Sequence, residues 1–122
     1  MAHHNEIGKK GELLAKEFLC KKKHSILATN YRFQRAEIDI ISKLESGIII
    51  FTEVKTLANE NSGNPEDAVS ISKQQQIAKA ALNFIEENNY QGEIRYDIVA
   101  ITLFGKREIY HIEDAFFPTN FQ

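Results

Sequence analysis

The stretch that decides the fold reads Glu37-Ile38-Asp39-Ile40-Ile41, then Ser42-Lys43-Leu44-Glu45-Ser46-Gly47, then Ile48-Ile49-Ile50-Phe51-Thr52-Glu53-Val54-Lys55. Two β-branched, apolar runs around a polar segment holding a glycine predict a hairpin. If the runs pair about Ser46, Asp39 falls opposite Glu53 and Glu37 opposite Lys55. Alternation then places all four side chains on one face. Opposed carboxylates repel, and the Ile and Val residues flanking each acid give it no reason to face water. A cation between them would remove the conflict. Magnesium suits the position, because it takes one or two carboxylates and keeps most of its waters. A solvated sheet face with alternating charges would write the same pattern, and in an arbitrary chain that is the commoner case. Lys55 weighs the other way. An Asp, a Glu and a Lys converging on one point supply what metal-assisted phosphate chemistry needs, since both cations neutralise charge that builds on phosphorus.

Working outward, Asn5 is positioned to cap a helix to about Lys22, with Ile7, Gly11, Leu14, Ala15 and Phe18 as its core face. Glu12 falls at the edge of that stripe, in line with Gly8. Each glycine weakens the helix by about 1 kcal/mol relative to Ala, so Gly8 and Gly11 are expected to let another segment approach beside Glu12. A surface pair with Lys16 is the plainer reading of Glu12. Ser25 to Phe33 reads as the first strand, with Leu27, Thr29, Tyr31 and Phe33 alternating against Ile26, Ala28, Asn30 and Arg32. Gln34-Arg35-Ala36 connects it to the hairpin.

Thr56 to Asn64 is a loop, and Asn64-Pro65-Glu66-Asp67 is a helix opening with Pro at the first helical position. Ser72 and Gln75 have capping-box spacing, so a break is expected near Ser70, then a main helix from about Lys73 to Asn88. Ile77, Ala78, Ala81, Leu82, Phe84 and Ile85 are its buried face. Lys73 falls in its first turn, where backbone amides attract anions, and is a candidate phosphate contact. Glu93 to Leu103 is a strand, and Arg107 to Ile112 an edge strand. Arg95 and Asp97 share a face as a structural ion pair. Phe116, Phe117 and Phe121 form an aromatic tail that would cover the core or meet a partner subunit. His24 and His111 lack ligand spacing, and His3 and His4 would bind metal only at a frayed terminus.

With 122 residues, 43% hydrophobic and 26% charged, the chain is expected to form one domain, residues 1 to 122, with one core. The longest apolar runs, such as Ile98 to Leu103, are of strand length, and no apolar secretion segment opens the chain. A cytoplasmic location is the resulting expectation. Cys20 is the sole cysteine, so no internal disulfide forms, and a buried or half-buried thiol is expected. The net charge is −2, yet nine Lys and Arg stand against five Asp and Glu through Lys43, and six against twelve thereafter. A basic N-terminal third would offer phosphate a local surface, while Lys21-Lys22-Lys23 is equally a helix end favoured by the macrodipole.

The Asp followed by Glu-x-Lys after a hairpin is similar to the catalytic pattern of the restriction-endonuclease-like, PD-(D/E)XK nucleases. Further, Gly8, Gly11-Glu12, Asn30-Tyr31-Arg32, Glu37 to Ile41, Phe51 to Thr56, Gly63, Pro65-Glu66, Ala68-Val69, Lys73 and Arg95 to Val99 together resemble the YraN family. That group lies within the same superfamily and is similar to Holliday-junction resolvases. The likeness runs from about Gly8 to Ile101. Ala36 stands where the family usually has Gly, and Leu57 where it usually has Arg, which removes one phosphate contact.

The resemblance implies an α/β fold, a restriction-endonuclease-like core with a central mixed β-sheet flanked by helices. It also implies a metal-dependent endonuclease acting on DNA, branched DNA by preference. Asp39 and Glu53 would bind Mg2+ or Mn2+, with the Val54 carbonyl as a third protein ligand. Glu12 would serve a second metal ion or its water. Lys55 would orient or deprotonate the attacking water, and Arg32, Glu37 and Lys73 would contact nucleic acid or assist. Action as a homodimer is implied, since a junction has two strands to cut. The alternative is a nucleic-acid-binding module with weak or no catalysis, acting with partners in recombination or repair. A protein-interaction scaffold is a third class.

Overall fold

The computed structural model describes residues 2–118, and their side chains except those of residues 2–5 and 66. The elements are α1 (Ala2–Lys21), β1 (Ser25–Phe33), β2 (Ala36–Lys43), β3 (Ile49–Leu57), α2 (Ile71–Glu87), β4 (Ile94–Thr102) and β5 (Ile109–Ile112), with short 3-10 turns at Glu60–Ser62 and Pro65–Ala68. The expected order of helix, three strands, helix and two strands is the observed one. One sheet carries all five strands in the order β1-β2-β3-β4-β5. Only β3 and β4 run parallel, and α2 supplies the crossover that a parallel pair requires. The helices cover opposite faces.

The hairpin pairs as its alternation predicts. Ile41 faces Phe51 and Lys43 faces Ile49, a register centred on Ser46. Gly47, at φ +102, closes the turn by donating its N–H to the Leu44 carbonyl at 2.8 Å. On one face Ile41, Phe51 and Ile98 pack against Ile77, Ala81 and Phe84 of α2. The Phe51 ring meets that of Phe84 edge-on at 6.2 Å, and a buried Phe is worth about 1.5–3 kcal/mol. On the other face Ala15 and Leu19 of α1 cover Ile40, Val99 and Ile101. Of the aromatic tail, Phe116 is buried and stacks on Tyr96 at 5.2 Å, so it covers the core, whereas Phe117 is exposed. Phe121 lies outside the described residues.

Several expectations are corrected. α1 begins at Ala2, so Asn5 lies inside the helix and does not cap it. The side chains of His3 and His4 lie outside those described. A methyl group on Gly11 would collide with Thr56 Oγ1, so this glycine does admit β3, but Gly8 has nothing near it. Cys20 is exposed on α1 rather than buried. Ser70, not Ser72, caps α2, its Oγ accepting from Lys73 N–H at 3.1 Å. The simple alternation of β1 fails as well. Ile26 joins the α1 face while Ala28, Tyr31 and Phe33 join the α2 face, because the pairing shifts between Ile26 and Ala28 and Asn30 takes φ +51. Such irregularities re-aim side chains at a sheet's functional end. Ala36, standing where the family usually has Gly, does not have positive φ, as that replacement implies, and Gln34 takes the left-handed position at +57.

Candidate active site

β2 and β3 remain paired as far as Ile40 and Thr52, then part. Asp39 and Glu53 come next, on neighbouring strands, at 9% and 7% exposure. Val54 N–H donates to Asp39 Oδ2 at 2.8 Å rather than to the β2 backbone. In an extended strand the N–H and C=O of one residue point to the same side, so the Val54 carbonyl also faces the parted edge. The N-terminus of α2 closes the space above. Together these elements bound a cavity of about 420 Å3, whose lining includes Glu37, Asp39, Glu53, Ser70, Lys73 and Gln76.

The electrostatics follow from burial. Loss of water, then the nearby Glu53 charge, push the Asp39 carboxyl up to about 8, and Glu12 adds to the effect. The bond from Val54 N–H offsets only part of this. Glu53 is bonded to the ammonium of Lys73, which reaches over from the first turn of α2. A cation therefore already sits on the acid pair, supplied by the chain itself.

The other sequence candidates are distributed around this centre. Glu12 receives a hydrogen bond from Asn30 Nδ2 at 2.9 Å, and the left-handed turn at Asn30 holds it at the edge of α1 toward Asp39. Glu37 lines the cavity but pairs with Arg32 Nε at 3.1 Å, not with Lys55. Lys55 is half-buried two residues past Glu53, has no described hydrogen-bond or ion-pair partner, and does not line the cavity. Among the described residues no three His, Cys, Asp or Glu side chains gather as a ready cage. Two carboxylates plus a carbonyl on the same edge match an ion that keeps its waters, as magnesium does. Sequence reasoning passed over Arg35 and Gln76. Gln76 was legible in principle, lying three residues past Lys73 on the same side of the helix.

A second polar group is buried on the α1 face. Asp97, wholly buried, accepts from Arg95 Nε and the guanidinium NH2 at 2.9 Å each, and the N–H of Asp114 at 3.1 Å. His111 Nε2 lies 2.7 Å from its Oδ2, and Lys22 Nζ 2.7 Å from His111 Nδ1. Burial alone would raise the Asp97 carboxyl, but these donors hold it below its ordinary value. His24, bonded to the Ser42 hydroxyl at 2.9 Å, is held low by burial and by His111. The expected Arg95 to Asp97 pair is present and structural, and the two isolated histidines belong to its surroundings.

A five-stranded mixed sheet flanked by two helices, with Asp39 and Glu53 at the point where its strands part, defines an α/β domain consistent with a restriction-endonuclease-like core. Residues 11–101 match the Uncharacterised protein family UPF0102, which is the YraN family, and the chain belongs to it. A UPF0102 protein of Christiangramia forsetii is 48% identical over 118 residues, covering 96% of this chain and 98% of the relative. UPF0102 protein FP2501 of Flavobacterium psychrophilum is 47% identical over 118 residues, with the same coverage of both chains. A UPF0102 protein of Chloroherpeton thalassium is 46% identical over 119 residues, covering 89% of this chain and 92% of its own. Among the described residues no helix is long and apolar enough to cross a membrane.

Proposed function

We propose that the protein is a metal-dependent endonuclease that hydrolyses phosphodiester bonds of DNA, with branched DNA as its substrate. The observation carrying this reading is the pair Asp39 and Glu53, buried side by side with an ammonium lodged on one of them. Burial of two adjacent acids is costly unless a cation joins them. Mg2+ or Mn2+ held by Asp39, Glu53 and the Val54 carbonyl would polarise a phosphoryl oxygen and stabilise the charge that develops there. Glu12 is the acid available for a second ion.

The chain's own residues do the rest. Lys73, released from Glu53 when that charge is otherwise neutralised, turns to the substrate phosphate together with the first amides of α2. Lys55, two residues past Glu53 on the same strand, orients the attacking water, whose proton passes to solvent. A bond forms from the water oxygen to phosphorus, the opposite P–O bond breaks, and the leaving oxygen is protonated from solvent. Arg32 and Glu37 border the entrance as a paired couple, and two copies of the chain would serve the two strands of a junction.

Labelled linear, forked and four-way DNA incubated with magnesium or manganese tests the reading. Cleavage is expected, with loss in Asp39→Asn, Glu53→Gln and Lys55→Ala at an unchanged fold. Full activity in any of these variants refutes the mechanism. A shifted but uncut band in the parent protein would make it a nucleic-acid-binding module.

A further inference from the structure

Beside the acid cavity lies a second one of about 220 Å3, and the two share Arg35, Ala36 and Gln76. Phe33, Gln34 and Lys79 complete its lining. It opens between the two-residue turn of the β1–β2 hairpin and the outer side of α2. Lys73, Gln76 and Lys79 follow one another at three-residue steps, so one row of side chains runs from the acid pair into the second cavity. Arg35 and Lys79 are exposed, and neither forms an ion pair with a described carboxylate. Phe33 is half-buried, packed from within against the α2-side core and lining the cavity from without. Gln34 is held at positive φ, which fixes the turn that carries Arg35.

An aromatic ring, two side-chain amides and two uncommitted cations, placed next to a hydrolytic acid pair, match the parts of a nucleotide. The ring offers a base a stacking platform, the amides can bond the edge of a base, and the cations suit its phosphate. The volume is below that of ordinary small-ligand pockets, which hold a few hundred Å3 or more. One unpaired base fits that space, and a base still stacked and paired in a duplex does not. We infer that the cavity of Phe33, Arg35, Gln76 and Lys79 binds an unpaired nucleotide adjoining the phosphate at Asp39 and Glu53. The substrate strand is therefore single-stranded, or opened at a branch point, at the site of attack. This rests on the nuclease reading above and narrows it.

The chain has no tryptophan, so Phe33→Trp installs one reporter in the cavity. A short oligothymidine strand, a blunt duplex and the same duplex with a single-stranded flap are titrated into it in calcium. Quenching is expected with the strand and the flapped duplex, and none with the blunt duplex. Arg35→Gln with Lys79→Gln should weaken strand affinity at least tenfold and reduce its salt slope by about 1.4. Phe33→Leu should weaken it about tenfold, while manganese uptake by calorimetry stays at the parent value. Equal quenching by the blunt duplex, or parent affinity in the double variant, overturns the inference while leaving cleavage intact. Manganese uptake and cleavage without any quenching does the same. Absent metal uptake and absent cleavage refute the nuclease reading itself, and strand-selective quenching would then still identify a nucleotide site.

Discussion

Replacing Asp39 by Asn gives the most direct measurement of what burial of the acid pair costs. The Asp39 carboxyl is pushed up to about 8 from an ordinary 3.8, by burial and then by Glu53. In that interval the folded protein keeps a proton that the unfolded chain has released. Stability from this group is complete below about 3.8 and is lost as pH rises toward about 8. Holding one such proton costs about 1.4 kcal/mol more for each pH unit climbed, so the metal-free fold should lose about 3 kcal/mol between pH 5 and 7. For a chain of this size that is roughly 10 °C in Tm. Asn keeps an oxygen for the Val54 N–H but has no proton to lose. Urea denaturation in EDTA at pH 5, 6 and 7 should therefore show the Asn variant gaining on the parent at each step. Saturating magnesium should flatten the parent's slope, since the ion replaces the proton. Parallel pH slopes for parent and variant in EDTA would refute the reasoning.

The remaining expectations concern the scaffold. Thr52 Oγ1 is the one buried side-chain polar atom among the described residues with no partner, so Thr52→Val should raise stability by about 1–3 kcal/mol in urea denaturation. Gly11→Ala should cost up to about 2 kcal/mol net, because the clash of its methyl with Thr56 on the strand that carries Glu53 outweighs the helix propensity gained, and thermal melts would show it. Asp97→Asn should cost about 3–5 kcal/mol by leaving Arg95 without its buried counterion, with manganese uptake preserved wherever the variant stays folded. His24, whose proton affinity is lowered on folding, should oppose the Asp39 trend. It costs stability as pH falls below about 6.5, so His24→Gln should flatten that acid limb in the same titration.

The hairpin register was legible because two β-branched runs flank one glycine, and a period of two leaves a single way to bury both. It followed that Asp39 and Glu53 would be neighbours. The alternation of β1 was misleading for a physical reason: apolar side chains occupy both parities of Ser25 to Phe33, so nothing in the pattern marks where Asn30 turns the strand over. The place of Lys73 was half legible. Its position in the first turn of α2 is local information, but its bond to Glu53 depends on where the crossover helix lands, which no short-range signal encodes. The same holds for Asp97, His111 and His24, drawn together by tertiary packing. An Asp inside an apolar strand with Arg two residues earlier was the one visible hint.

The bond from Val54 N–H to the Asp39 carboxylate makes a backbone amide the immediate neighbour of the acid pair. Any cation that draws electron density from that carboxylate weakens the bond. Deuterium exchange and the NMR resonance at Val54 should then respond to occupancy, while Ile50 and Thr52, laced between strands on both sides, stay silent. The chain carries its own indicator, readable in isotope-labelled protein with metal alone.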